Sequence, residues 1–98
     1  MAMSETSTFE IAEYLDSPDA MLEYLELAME DENPDVFIAA LGHVAKARGM
    51  SQVAELSGLG RESLYKALKS GSKLRYETVQ KVVQALGFRL ALEKSDAA

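Results

Sequence analysis

The sequence predicts an all-α protein of five helices, with a tight turn between two short helices and one short strand at the C-terminal end. Three observations carry that prediction. Apolar residues recur at three- and four-residue intervals, Ser-Pro and Asn-Pro pairs mark helix starts, and glycines stand where the periodic runs stop. With 98 residues, 48% of them hydrophobic, the chain has material for one core and not for two, so a single compact domain is expected.

Residues 1–8 are small and polar without periodicity, and disorder is expected there. Residues 9–35 make an acidic N-terminal segment and the first helix. Phe9 to Leu15 alternates apolar and acidic residues, which suits either a short extended piece or a single helical turn. Ser17 can cap the helix that Pro18 opens, and the helix should reach about Asp31. Met21, Leu22, Leu25, Ala28 and Met29 would face inward, leaving Glu23, Glu26 and Glu30 in water.

Asn33-Pro34-Asp35 repeats the start signal for a second helix ending near Arg48, with Val36, Phe37, Ala40, Leu41, Val44 and Ala45 as its buried stripe and Gly49 as its stop. Ser51 can cap a third helix, Gln52 to Ser57; Gly58-Leu59-Gly60 breaks the chain, and Arg61 to Lys69 forms a fourth. After a loop, Ser70 to Lys73, the fifth helix spans Tyr76 to Leu86, with Val79, Val82, Val83 and Leu86 inward and Gly87 closing it.

Residues 88–98 form the strand and a polar tail. Phe88 to Glu93 alternates as a half-buried strand does, yet a lone strand cannot satisfy its own backbone groups. Pairing of Phe88, Leu90 and Leu92 with the same segment of a second copy would make a homodimer. An extended tail packed on its own subunit is the alternative.

A net charge of −6 argues at first against a polyanionic partner, but the distribution reverses the inference. Residues 1–35 hold eleven acids and no Lys or Arg, while all ten basic residues lie between Lys46 and Lys94 against five acids. There is no cysteine, so neither disulfides nor a thiolate metal site is available, and a reducing cytoplasmic setting fits. No run approaches the length needed to cross a bilayer, so no membrane role is expected. His43 is the one histidine, lies near the apolar stripe of its helix, and reads as structural. No cofactor is expected.

Residues 36–87 contain the spacing of a helix-turn-helix. Such a unit needs a small residue where the second helix crosses the first, a Gly that permits positive φ in the turn, and an apolar anchor on the second helix; Ala54, Gly58 and Leu64 supply them, with Leu59 and Leu68 adding inward contacts. The outer face then presents Arg61, Glu62, Ser63, Tyr65, Lys66 and Lys69. These side chains suit phosphates and base edges. Lys73, Arg75 and Thr78 flank the start of the fifth helix, where backbone N–H groups and cations commonly clamp phosphate.

Residues 47–87, from Ala-Arg-Gly-Met-Ser-Gln through Arg-Glu-Ser-Leu-Tyr-Lys-Ala-Leu to the closing Ala-Leu-Gly, resemble the Cro/repressor-type, lambda-repressor-like helix-turn-helix domain. The closer resemblance is to addiction-module antidote proteins, the antitoxin halves of HigA/RelB-class toxin–antitoxin pairs. It implies a dimeric repressor that binds double-stranded operator DNA of its own operon and neutralises a small basic ribonuclease toxin. Met50 stands where this class usually carries Gln, leaving Gln52 as the first-helix candidate for DNA, and Gly60 stands where Ser or Thr often caps.

Each feature also has a plainer interpretation. The basic helix face would be a solvated surface, Tyr65 part of the core, and Glu62 a helix N-terminal charge rather than a cytosine acceptor. The acidic first third would lend solubility alone, or bind a basic toxin. The function classes that follow are an autoregulating antitoxin, a stand-alone repressor with no toxin partner, and an enzyme. The last lacks a nucleophile–base pair, a phosphate-cradling Gly loop and a metal constellation.

Overall fold

The first two long helices begin by the same device. The Ser17 backbone is extended and its Oγ accepts a hydrogen bond from the Ala20 N–H at 3.2 Å, with Pro18 in the first helical position, and α1 (Pro18–Met29) follows. Asn33 repeats this for α2 (Pro34–Arg48), its side chain accepting from the Asp35 N–H at 2.9 Å. The computed structural model describes Ile11 and residues 13–96. The expectations for residues 1–8, Phe9 and Glu10 fall outside the described residues. Ahead of α1, the Leu15 N–H donates to the Ile11 carbonyl at 2.9 Å, a helical bond, and the Leu15 side chain is buried.

Three further helices follow: α3 (Met50–Ser57), α4 (Arg61–Leu68) and α5 (Tyr76–Ala85), with a 3₁₀ turn at Gly71–Lys73 between the last two. Among the described residues there is no strand. α2 is central. It packs against α1, α3, α4 and the 3₁₀ turn, and α5 packs on α3. One core results, in which Leu15, Leu41, Val44, Val53, Leu64, Val82 and Leu86 are the largest fully buried side chains. The Arg48 guanidinium donates to the Leu86 carbonyl at 3.0 Å, fastening the end of α2 to the end of α5.

Four expectations are corrected by these contacts. Leu22 and Met29 leave the buried stripe of α1, which consists of Met21, Leu25 and Ala28, because α2 covers one flank of the helix and not the other. Val36 is exposed and Phe37 half-buried, whereas Ile38 is buried; Ala40, Leu41, Val44 and Ala45 of the expected stripe are buried, so the departure is confined to the start of α2.

α3 starts at Met50, not Gln52, and Ser51 is an exposed residue inside it. The reason is Gly49, whose φ of 111° lets it end α2 and begin α3 with no linker between them. Finally, residues 88–95 form no strand. Phe88 and Leu90 pack on the core and Arg89 and Ala91 are exposed, so the sides alternate as far as Leu90, but Leu92 is fully exposed and breaks the pattern, and no described residue offers a backbone ladder to pair with.

Candidate functional site

α3 and α4 are each eight residues long and are joined by Gly58-Leu59-Gly60. Gly58 takes the left-handed conformation, φ 75° and ψ 9°, and its N–H donates back to the Ala54 carbonyl at 3.1 Å and the Glu55 carbonyl at 3.2 Å. A side chain with a Cβ is strained there, so the bend depends on glycine. Ser57 supports the turn from both sides: its Oγ donates to the Ala54 carbonyl and accepts from the Leu59 N–H.

Below the turn Ala54 is buried, Leu64 is wholly inaccessible, and Leu59 and Leu68 are half-buried against the core. Gly42 of α2 faces this packing. A Cβ placed on it would meet Leu68 Cβ at 4.0 Å, an ordinary contact, so α4 lies directly on the small-residue side of α2. The interruption of α2 by glycine was the signal for that approach, and periodicity alone passed over it.

Burial of Leu64 fixes the direction of the opposite face of α4. Arg61, Glu62, Ser63, Lys66 and Lys69 are all exposed, and Tyr65 is half-buried at the edge of the core. The Arg61 guanidinium lies 5.8 Å from the centre of the Tyr65 ring, close enough for a cation–π contact that holds the long side chain along the helix. Gly60 caps α4 without a side-chain hydrogen bond, which leaves the first N–H groups of the helix uncapped by side chains. Gln52 is exposed on α3, while Met50 is buried and turned to packing.

Lys73 and Arg75 are exposed and Thr78 is half-buried around the start of α5. The turn that carries them is held by a residue that the sequence places only in the acidic segment and at the start of the second helix. Asp35, in the first turn of α2, accepts a hydrogen bond from the Ser72 N–H at 2.5 Å through Oδ1. Gly71 sits beside that oxygen with φ 62°, and a Cβ there would stand 2.9 Å from it. The left-handed backbone favours glycine at position 71, a side chain there would displace the Asp35 carboxylate, and Asp35 is a positioning residue for the Lys73–Arg75 loop.

The acidic side has its own internal fastening. Tyr24 of α1 shares a hydrogen bond of 2.6 Å between its hydroxyl and His43 Nδ1 on α2, and Tyr14 meets Tyr24 edge to face at 6.4 Å. Burial, and secondarily the Lys46 ammonium, holds the His43 pKa below its ordinary value of 6.5. Burial likewise raises the Tyr24 pKa. His43 thus joins two helices as a packed hydrogen-bond partner of Tyr24. Among the described residues no group of His, Cys, Asp and Glu side chains is placed to hold a metal ion, and no helix is long and apolar enough to cross a membrane.

What fold and site define is a small helical protein with an exposed cationic helix on one part of its surface and an acidic helix on another. Its relatives sharpen that class. Residues 5–94 match the model of the family described as "probable addiction module antidote protein", and the chain belongs to that family. It is 38% identical over 87 residues to an uncharacterized protein of Haemophilus influenzae, with 89% of this chain and 90% of that protein covered. No solved structure matches the chain significantly. Membership of an antidote family implies, in general, a toxin as counterpart.

Proposed function

We propose that the chain is the antitoxin of a type II toxin–antitoxin module, acting both as a DNA-binding autorepressor and as the sequestering partner of a small basic ribonuclease toxin. The observation that carries the DNA half is the outward set Arg61, Lys66 and Lys69 on the helix that follows the left-handed turn at Gly58. In this reading α3 and α4 are a Cro/repressor-type helix-turn-helix. The N-terminal end of α4 enters the major groove, where Arg61 reads guanine in bidentate fashion and Glu62, Ser63, Tyr65 and Lys66 meet neighbouring edges and phosphates. Gln52, Lys69, Lys73, Arg75 and Thr78 grip the backbone, together with the N–H groups that open α5.

Two copies read two half-sites, related through the outer end of the C-terminal segment at the exposed Leu92, clear of Phe88 and Leu90, which pack on their own subunit. The half-site centres then lie about 34 to 36 Å apart or at a multiple of that distance. No step in this scheme calls for catalysis or a cofactor. The toxin half rests on family membership and on an acidic α1 that carries no cation.

A gel shift of the full chain on DNA from upstream of its own gene, against a scrambled duplex of equal length, tests the first half. Retardation of the upstream fragment at tenfold lower protein is expected, and equal retardation of both removes sequence-specific repression. Co-expression with the adjacent reading frame tests the second. Retention of a basic protein of about a hundred residues is expected, and recovery of the antitoxin alone would leave a stand-alone regulator.

A further inference from the structure

The two α1 residues displaced from the core face a common space. Leu22 and Met29, 40% and 54% exposed, stand seven positions apart on one wall of an open groove of about 550 Å³. The opposite wall is the 88–93 segment, with Phe88 and Leu90, and Val83 and Phe37 contribute to the lining from α5 and α2. Around this apolar lining stand three carboxylates, Glu26, Glu30 and Glu93, against one cation, Arg89. Solvated leucine and methionine at helical spacing across from half-buried Phe and Leu are a surface that gains by being covered.

Charge complementarity decides between occupants. A second copy docked groove to groove would set Glu26 and Glu30 against the same carboxylates, a like-charge arrangement that disfavours that pairing. A cationic segment with one apolar face meets both features. The stripe from Leu22 to Met29 spans about 10 Å, two turns of helix.

We propose that this groove receives a basic amphipathic helix of a partner protein, laid apolar side down between α1 and the 88–93 segment, with its cations on Glu26, Glu30 and Glu93. The proposal rests on the reading that the chain neutralises a basic toxin, and gives that reading its place on the surface. It uses the helix-in-groove mode, in which a few apolar anchors give affinity and the charged rim sets partner choice.

The test uses full-length ¹⁵N-labelled protein and two probes: the product of the adjacent reading frame, and a synthetic Leu/Lys amphipathic helix of 14 residues. The variants are Met29→Lys and the pair Glu26→Lys/Glu30→Lys, with Glu55→Lys on α3 as the control for net charge alone. The synthetic helix should shift amides of α1 and residues 88–93, and each groove variant should weaken both probes about tenfold or more, while Glu55→Lys and upstream-DNA binding stay near wild type. Thermal melts of the variants separate lost binding from lost folding.

If wild-type protein binds the synthetic helix in the groove but retains no gene product, the toxin reading fails and the groove assignment stands. If the gene product is retained equally by wild type and groove variants, the groove assignment is overturned and the toxin reading stands. Amide shifts confined to other helices, or groove variants that alter only self-association in sedimentation, also overturn it.

Discussion

Residues 1–35 and residues 36–96 differ as sharply in charge as two separate proteins, yet they share one interior. Leu15, Met21, Leu25 and Ala28 from the acidic part lie in the same cluster as Leu41, Val53, Leu64 and Val82 from the remainder. Charge segregation here is a property of surface and not of domains. The lesson is that neither the net charge of −6 nor the acidity of one part says what the other can bind, because fields from exposed charges are screened over about 8 to 10 Å in salt. It also means that removing residues 1–35 would strip the core, so that substitution, and not deletion, is the way to examine the acidic part.

The comparison breaks most severely from inside. Leu64→Ala opens a cavity beneath α4 and should cost about 2 to 5 kcal/mol, read by urea unfolding, with both charged surfaces lost in one transition. Separate transitions for the two parts would show that the shared interior is not cooperative. Next in size are losses confined to the basic part. Arg61→Ala should cost roughly 1 to 3 kcal/mol on upstream DNA and relax base preference, whereas Lys73→Ala should weaken all sequences alike and reduce the salt slope by about one ion. Equal losses for Arg61→Ala on specific and random duplexes would remove that residue from base reading.

The tie between the two parts gives a smaller effect. Gly71→Ala should destabilise by about 1 to 2 kcal/mol, since alanine meets the left-handed penalty there and its Cβ crowds Asp35 Oδ1. Combining it with Asp35→Ala should cost less than the two changes summed, because the crowding partner is gone; strict additivity in a double-mutant cycle would argue against the contact.

The gentlest probe is pH. The His43 pKa is lowered in the folded chain, so the unfolded chain takes up this proton first as pH falls through 6.5, and the contribution to stability is lost from there down to the folded value. Above 6.5 it is fully present. Wild type should lose more melting temperature than His43→Gln between pH 7.5 and 5.5; parallel losses would assign the pH effect to carboxylates instead.

What could be read from the chain alone divides along the same physical line. The starts of α1 and α2 were legible because Ser17-Pro18 and Asn33-Pro34 act on backbone groups within three residues. The left-handed turn at Gly58 was legible for the same reason. Stripe width was not, since whether Leu22 and Met29 are covered depends on what neighbours α1, and the burial of Ile38 in place of Val36 at the start of α2 depends on the packing around that helix. The Asp35–Ser72 bond spans 37 positions, beyond any local pattern. In the 88–93 segment, alternation announced that Phe88 and Leu90 turn inward, failed at the exposed Leu92, and could not supply the neighbouring backbone a strand requires.

The single residue between α2 and α3 has a mechanical corollary. With Gly49 serving as stop for one helix and start for the next, no slack chain separates them, and a half-buried glycine is a poor substrate for a protease, which must pull several residues into extended form. Nicking of the native chain should therefore begin in the exposed stretches, at Gly58-Leu59-Gly60 or beyond Leu90, while the Gly49 junction survives until the whole molecule comes apart.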